Sequence, residues 1–428
     1  MRSTVPANDI RPAPEPLPKT TWPESSWPKS RRRRARFFIV SMLWLNLLFF
    51  LDMREGIRRG YSDFTIFYTA GTILRHGMGH QLYNRKLQYA VQESFTGHIA
   101  FRLGPLPYNH PPFEAPLFVP LTWLPYQQAF AVWDLLNVAA LFGVAWLLHR
   151  SVGALRSLPP WKFVVGSIAF FPVFVCLMQG QDSILMLLFT TLAFYALKKN
   201  ADVIAGCWLA LAAFKFQFII PIVVLLFIWK RRRVALGFAA SAIVLALISA
   251  ELVGVGPLLQ YPAYVLQIAN APGLGGVPPQ YLPNLHGLAM GWPGPFGGRL
   301  GTALAGISSI VVFLFAAWKG RARGGNLELQ FSLAILVSGL IAWQTNSHDL
   351  SLLLLPLVLL ADCCLHSLER SPAGKFALLL PSLPVLVGPL WMALWLVSAK
   401  VNLIAIPLLW WTWKIGRELG RDQNAVVT

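Results

Sequence analysis

Five short segments place carboxylate, ammonium, imidazole and carboxamide groups at the edges of apolar runs. They are Gly60-Tyr-Ser-Asp-Phe64, Gln179-Gly-Gln-Asp-Ser183, Lys215-Phe-Gln217, Leu282-Pro-Asn-Leu-His-Gly287 and His348-Asp349. Ionisable groups beside hydrocarbon are costly, so each needs a reason to be there. Asp63 can take a proton from a nucleophile as a bond forms. Lys215 and His348, with His286 and His110 behind them, can stabilise negative charge developing on a leaving group. Each also has a plainer role: Asp63 can cap the following helix through the Thr65 and Ile66 amides, Lys215 can snorkel to an interface, and a lone histidine can be a structural hydrogen-bonding group.

The elements that would position these groups follow from composition. Hydrophobic residues make up 56% of the 428 and charged residues 13%, so a soluble core cannot absorb the apolar surplus and lipid must. The net charge of +18 is not a nucleic-acid footprint. Lys and Arg stand in small clusters between apolar runs, Arg31 to Arg34, Lys230 to Arg233 and Lys319 to Arg323, as in chains oriented by the positive-inside rule. The four cysteines, Cys176, Cys207, Cys363 and Cys364, fall in or beside apolar runs and suggest neither a disulfide framework nor a zinc site.

Alternating basic and uncharged loops then define an all-α polytopic membrane protein. Residues 1–36 read as a disordered basic cytoplasmic tail, 37–414 as the membrane domain and 415–428 as a second cytoplasmic tail. Phe37 to Met53 reads as an uncleaved signal anchor delivering a long outer loop, 54–125, to the extracytoplasmic side. That loop ends in an apolar stretch of about a dozen residues, too short to span and expected as a juxtamembrane helix on the surface. Spans are expected over Gln127 to Leu148, Phe163 to Leu177 and Ile184 to Leu197. Ala201 to Trp229 should leave and return as two short helices with Lys215 near the outer turn, because basic clusters flank both ends. Val234 to Val255 precedes a second outer loop, 256–298, and later spans bring the total to about twelve. No internal repeat is evident, which weighs against transporter folds built from duplicated halves. In this topology the five polar segments converge on the outer face. Interfaces attract polar groups in general, but here the inner boundaries hold mostly Lys and Arg, and the outer ones hold the chemistry.

A larger pattern joins these residues in order: Asp63-Phe64 with Tyr68, Ala70 and Gly71, then Leu82-Tyr83, Tyr108 with Pro111-Pro112, Gly180-Gln181, Lys215-Phe-Gln217, the Pro-Asn-Leu-His segment and Ser347-His-Asp-Leu350. It resembles the membrane glycosyltransferases of the GT-C superfamily, and within them glycosyltransferase family 87, whose members include polyprenol-phosphate-mannose-dependent alpha-mannosyltransferases. The resemblance implies a GT-C-like helical bundle in a bacterial inner membrane. It implies a polyprenyl-phosphate sugar donor, a lipid-linked or cell-envelope acceptor, and a site open to the extracytoplasmic side. Asp63 matches the family's catalytic aspartate. Lys215 and His348 become candidates for the donor phosphate, while Gln181, Asn284, His286, His110, Tyr68 and Tyr108 become candidates for substrate contacts. No second carboxylate lies close to Asp63 in sequence, so transfer without a metal or other cofactor, by single displacement with inversion, is the simpler expectation. A multi-span transporter or lipid flippase is the rival from another class, and an envelope-polymer ligase would share the outward site.

Overall fold

The computed structural model describes residues 29–96, 106–269, 277–291, 298–321, 326–368, 370–398 and 402–427. The proline-rich tail to residue 28 and parts of both long loops (97–105, 270–276 and 292–297) lie outside the described residues. Every regular element among those residues is helical: α1 Lys29–Arg58, α2 Phe64–Arg75, α3 Arg85–Thr96, α4 Tyr126–Ser151, α5 Pro160–Ala169, α6 Phe171–Gln179, α7 Ser183–Lys198, α8 Asp202–Leu211, α9 Phe216–Ile228 and α10 Arg232–Val253, then α11 Val255–Ala269, α12 Leu285–Met290, α13 Arg299–Lys319, α14 Leu327–Ile341, α15 Leu354–Asp362, α16 Pro372–Leu379, α17 Leu383–Leu386, α18 Gly388–Ser398 and α19 Ala405–Val427. Short tighter turns join several of them. Six helices are long and apolar enough to cross a membrane, or up to eight if each of two bent pairs is one span, with α7 and α14 as shorter apolar helices besides. The count is therefore lower than the twelve expected from the apolar runs.

Two differences from the expected spans have clear causes. The run from Phe163 to Leu177 is broken into α5 and α6, which meet at 82°. Pro172 has no N–H to offer the Ile168 carbonyl four residues back, so the helix cannot continue. The freed acceptor is met instead by Asn46 Nδ2 on α1, 3.0 Å from Ile168 O. The second difference is the apolar stretch of the first loop, Pro112–Trp123, which forms a 3-10 helix with Pro116 and Pro120 inside it. Rather than lying only on the surface, it packs into the loop's own core. Phe118 stacks on Phe67 at 4.6 Å between ring centroids, while Trp123 remains exposed.

The first loop is thus a folded cap rather than a connector. Aromatic side chains of α2, the 3-10 helix and the start of α4 (Phe64, Phe67, Tyr68, Phe118, Tyr126, Trp133) form its interior. Two buried carboxamides on α3 hold the returning strand of chain. Gln92 donates to Leu106 O and accepts from Leu106 N, and Gln88 accepts from Tyr108 N. Buried amides that satisfy main-chain groups in both directions fix a loop much as a sheet ladder would.

The apolar stretch Asp202–Ile228 has the length of one span, yet it is not straight. A helix of that length would hold its ends about 40 Å apart. Asp202 instead pairs with Arg231, just beyond the far end, at 2.9 Å. The chain must therefore turn back at the 3-10 turn Ala212–Lys215, sending α8 inward to the bundle's other end and back as α9, with Lys215 at the tip. Its first arm, α8, is held close to α10 by facing glycines: a Cβ on Gly206 would sit 2.1 Å from Val234 O, and one on Gly237 would sit 2.0 Å from Val203 O. Behind the hairpin, α14 is buried along nearly its whole length, from Leu329 to Leu340. By contrast, α1 and α10 expose most of their apolar surface, as lipid-facing helices do.

Candidate functional site

The start of α2, the α6–α7 junction, the tip of the α8–α9 hairpin and the segment before α15 meet around a cavity of about 440 Å³. Asp63, His110, Gln181, Lys215 and His348 all line it, and so do Asn109, Gln179, Gln217, Gln344, Asn346 and Asp349. One side is apolar, with Phe49 and Met53 from α1, Val175 and Met178 from α6, and Met392 from α18.

Each polar group reaches the cavity for a local reason. Asp63 stands at the N-cap position of α2, but its side chain makes no capping bond. It accepts from Gln181 Nε2 at 2.8 Å instead, and it keeps 28% of its side chain exposed. Gly180 adopts a left-handed conformation (φ +63) that turns the chain from α6 into α7 and presents Gln181 and Asp182 to the site. A side chain there would also collide with Phe130, whose ring would lie 2.3 Å from the added Cβ. His348 Nδ1 lies 2.9 Å from Gln179 Oε1 and 4.0 Å from Asp63 Oδ2, and its Nε2 lies 3.5 Å from Asp349 Oδ1. Burial pushes the His348 imidazole below its ordinary pKa, an effect that Asp349 opposes and Lys215 reinforces.

Lys215 is only 4% exposed and sits within a ring of acceptors. Its Nζ is 2.6 Å from Asp349 Oδ1, 2.8 Å from Ser183 Oγ, 2.9 Å from Asp182 Oδ1 and 3.3 Å from Gln181 Oε1. Hydrogen bonds to Asp349, Ser183 and Gln181 use the three ammonium hydrogens, and Asp182 adds an ion pair. Asp182 extends the network to the first loop, where His110 Nδ1 lies 3.2 Å from Asp182 Oδ2 and 2.8 Å from Glu114 Oε2. Three carboxylates therefore face two cations in the interior. Burial opposes the His110 imidazolium, but the Glu114 and Asp182 carboxylates outweigh it and hold the pKa at about 10. Burial raises the Glu114 carboxyl to about 7, with His110 pulling the other way. Asp182 is the partner kept ionised: burial works against its charge, and Lys215 and His110 hold it well below the usual carboxylate range. His110, Glu114 and Asp182 are also the residues able to hold a cation, since their ligand atoms lie within 4.8 Å of one another. The imidazolium and the Lys215 ammonium already supply positive charge there.

The remaining sequence candidates lie away from the cavity lining. Tyr68 donates to Leu124 O at 2.8 Å, and Tyr108, fully buried, donates to Pro111 O at 3.0 Å. Asn284 caps α12 by accepting from Gly287 N at 2.8 Å, and it donates to Ala342 O and Thr345 Oγ1. His286 is half-buried on α12, and burial lowers its pKa. Sequence reasoning passed over Glu114, Gln179, Asp182 and Asp349 as site residues. Asp182 and Asp349 each directly follow a residue that was singled out, and Glu114 stands four residues beyond His110. Those adjacencies were the available signal. All four cysteines are free thiols.

No curated protein and no solved structure matches the chain. The family model for Glycosyltransferase family 87 matches residues 108–345, more than half of the 428 residues. The match takes in His110, Gln181, Lys215, Asn284 and His286, while Asp63 and His348 flank it. It supports a transferase over a transporter or flippase. With its all-helical membrane architecture and a polar cavity at one end of the bundle, the chain belongs to glycosyltransferase family 87.

Proposed function

We propose that the cavity transfers a hexose, mannose or a close relative, from a polyprenyl phosphate to a lipid-linked or cell-envelope acceptor, with inversion, on the extracytoplasmic face of a bacterial inner membrane. One observation carries the reading: among the described residues lining the cavity, Asp63 is the carboxylate left open. The other, Asp349, is buried and paired with Lys215. A hydroxyl nucleophile needs a base within hydrogen-bond reach, and Asp63 offers one oriented by Gln181. A retaining enzyme would need a second available carboxylate on the other face of the sugar, which favours direct displacement. The leaving lipid phosphate gains charge as the bond breaks and requires donors already in place. His348, Gln344, Asn346 and Ser347 share one wall of the cavity and can supply such donors. The carboxamides suit the hydroxyls of an uncharged sugar, and the apolar wall from α1, α6 and α18 suits an isoprenoid chain.

The test is transfer from a radiolabelled polyprenyl-phosphate sugar by the purified protein in lipid. Asp63→Asn should insert and melt like the parent yet lose at least about a thousandfold in turnover, since the amide cannot take the proton. Turnover within about tenfold of the parent would remove Asp63 from the mechanism. The sidedness is tested separately by reporter fusions at Pro107 and Pro278, which should both lie outside the cytoplasm.

A further inference from the structure

Lys215 was drawn to attention as a cation that could meet phosphate, but its contacts point elsewhere. Its hydrogen bonds go to Asp349, Ser183 and Gln181, and Asp182 pairs with its charge, all protein groups. The same Gln181 carboxamide that takes Lys215 on its oxygen gives its N–H to Asp63 Oδ2 at 2.8 Å. Chemistry fixes that orientation. Rotating the amide by half a turn would set its NH2 against the ammonium and its oxygen against the Asp63 carboxylate, and both contacts would repel. The ammonium, itself pinned by two buried carboxylates, therefore holds Gln181 in the one rotamer and flip state that orients the open carboxylate.

We propose that Lys215 is a positioning residue acting on Asp63 through the Gln181 carboxamide, with Asp182 and Asp349 as its anchors, rather than a ligand of the donor phosphate. This rests on Asp63 being the base. Gln181 polarised by a cation on its oxygen is a better donor through its nitrogen, because hydrogen bonds in a chain strengthen one another away from water. A carboxylate with one oxygen held in this way keeps the other free for the acceptor hydroxyl. His348 lies 4.0 Å from the same Oδ2, bound to Gln179 rather than to Gln181. One Asp63 oxygen is thus approached both by Gln181 and by the His348 that Gln179 holds, the two glutamines standing either side of Gly180.

The experiment is steady-state transfer in proteoliposomes with the donor varied. Gln181→Leu removes the relay without stranding a charge. It should lower kcat at least tenfold and leave the donor KM within twofold, since Asp63 loses the group that orients it. Lys215→Met strands two carboxylates, so it is paired with Asp349→Asn to keep the net charge of the interior unchanged. This double variant should show the same split between kcat and KM, and adding Gln181→Leu to it should cost less than threefold more. A phosphate ligand behaves differently: the Lys215 variant would raise the donor KM tenfold or more with kcat retained, and its loss would multiply with that of Gln181→Leu. Either result overturns the relay. If Lys215 variants do not fold, the Gln181→Leu split decides alone, and an unchanged kcat overturns the relay. Asp63→Asn separates the two levels. A dead Asp63→Asn with a fully active Gln181→Leu sinks the relay alone, whereas an active Asp63→Asn sinks the base assignment and the relay with it.

Discussion

The two ends of the bundle treat charge in opposite ways. At the cavity end, Glu114, Asp182 and Asp349 are each less than a tenth exposed and are paired inward with His110 and Lys215. At the far end, where α4 and α13 finish and the middle of α19 passes the end of α13, cations lie over exposed tryptophans: Arg150 over Trp146, Lys319 over Trp318, Lys414 and Arg417 over Trp413. The first arrangement removes charge from water and must satisfy it with fixed partners, so it determines geometry. The second leaves the charge at an aqueous boundary on flexible stems over amphipathic rings, so it determines which way the bundle sits in its bilayer.

Removing a partner from the cavity end should be the most damaging test of this contrast after loss of Asp63 itself. Asp182 is fully buried and is shared by His110 and Lys215. Asp182→Ala leaves both cations short of a counter-charge and should cost about 3–5 kcal/mol. That loss would be read as a melting temperature many degrees lower, or as a failure to purify folded protein. A variant that melts within a degree or two of the parent would show that solvent, not Asp182, satisfies the two cations.

The same network predicts a pH dependence of smaller size. His110 is raised from 6.5 to about 10, so its contribution to stability is complete below pH 6.5 and is lost as pH climbs through about 10. Glu114 is also raised, from 4.5 to about 7, so its protonated form favours the fold and that contribution fades as pH rises through about 7. Asp182 runs the other way, but its lowered value confines its effect to strongly acidic solution. Thermal stability in lipid should therefore decline steadily between pH 6.5 and 10, and His110→Gln should flatten the alkaline part of the curve. A parent curve that is flat over that interval would mean His110 is not charged in the fold.

The contrast also shows what the sequence could convey. Apolar runs bounded by basic clusters locate most of the helices, because burial in lipid is a local property of fifteen to twenty residues. The turn at Lys215 was legible for the same reason, since Lys198-Lys199 and Lys230 to Arg233 demand one side. The 82° break at Pro172 was visible as a proline but not as a right-angled bend, because Asn46, more than a hundred positions earlier, supplies the missing donor. Asp63, Lys215 and His348 drew attention as polar groups at apolar boundaries. Their pairings were not legible in the same way. The pairing of His110, Glu114, Asp182 and Asp349 depends on three loops meeting, and no local pattern announces which carboxylate will face which cation. Tyr68, Tyr108 and Asn284 show the converse: residue types suited to sugar recognition that are spent on main-chain carbonyls and a helix cap.

The mildest expected effect lies at the far end and sharpens the contrast from the other side. Lys319→Gln and Lys414→Gln each remove a cation stacked on a tryptophan, with the Lys319 Nζ 3.9 Å from the centre of the Trp318 ring. An exposed cation–π contact is worth about 0.5–1 kcal/mol, and a glutamine keeps part of the packing of the stem. Each substitution should therefore lower the melting temperature by no more than a few degrees, with kcat and the donor KM unchanged, because neither lysine touches the cavity. Their combined removal should matter more in anionic than in zwitterionic vesicles, where the attraction to headgroups is absent. Equal losses in both lipids would mean that these lysines brace α13 against α19, whose Gly420 lies beside the Lys319 ammonium, and do not read the membrane surface at all.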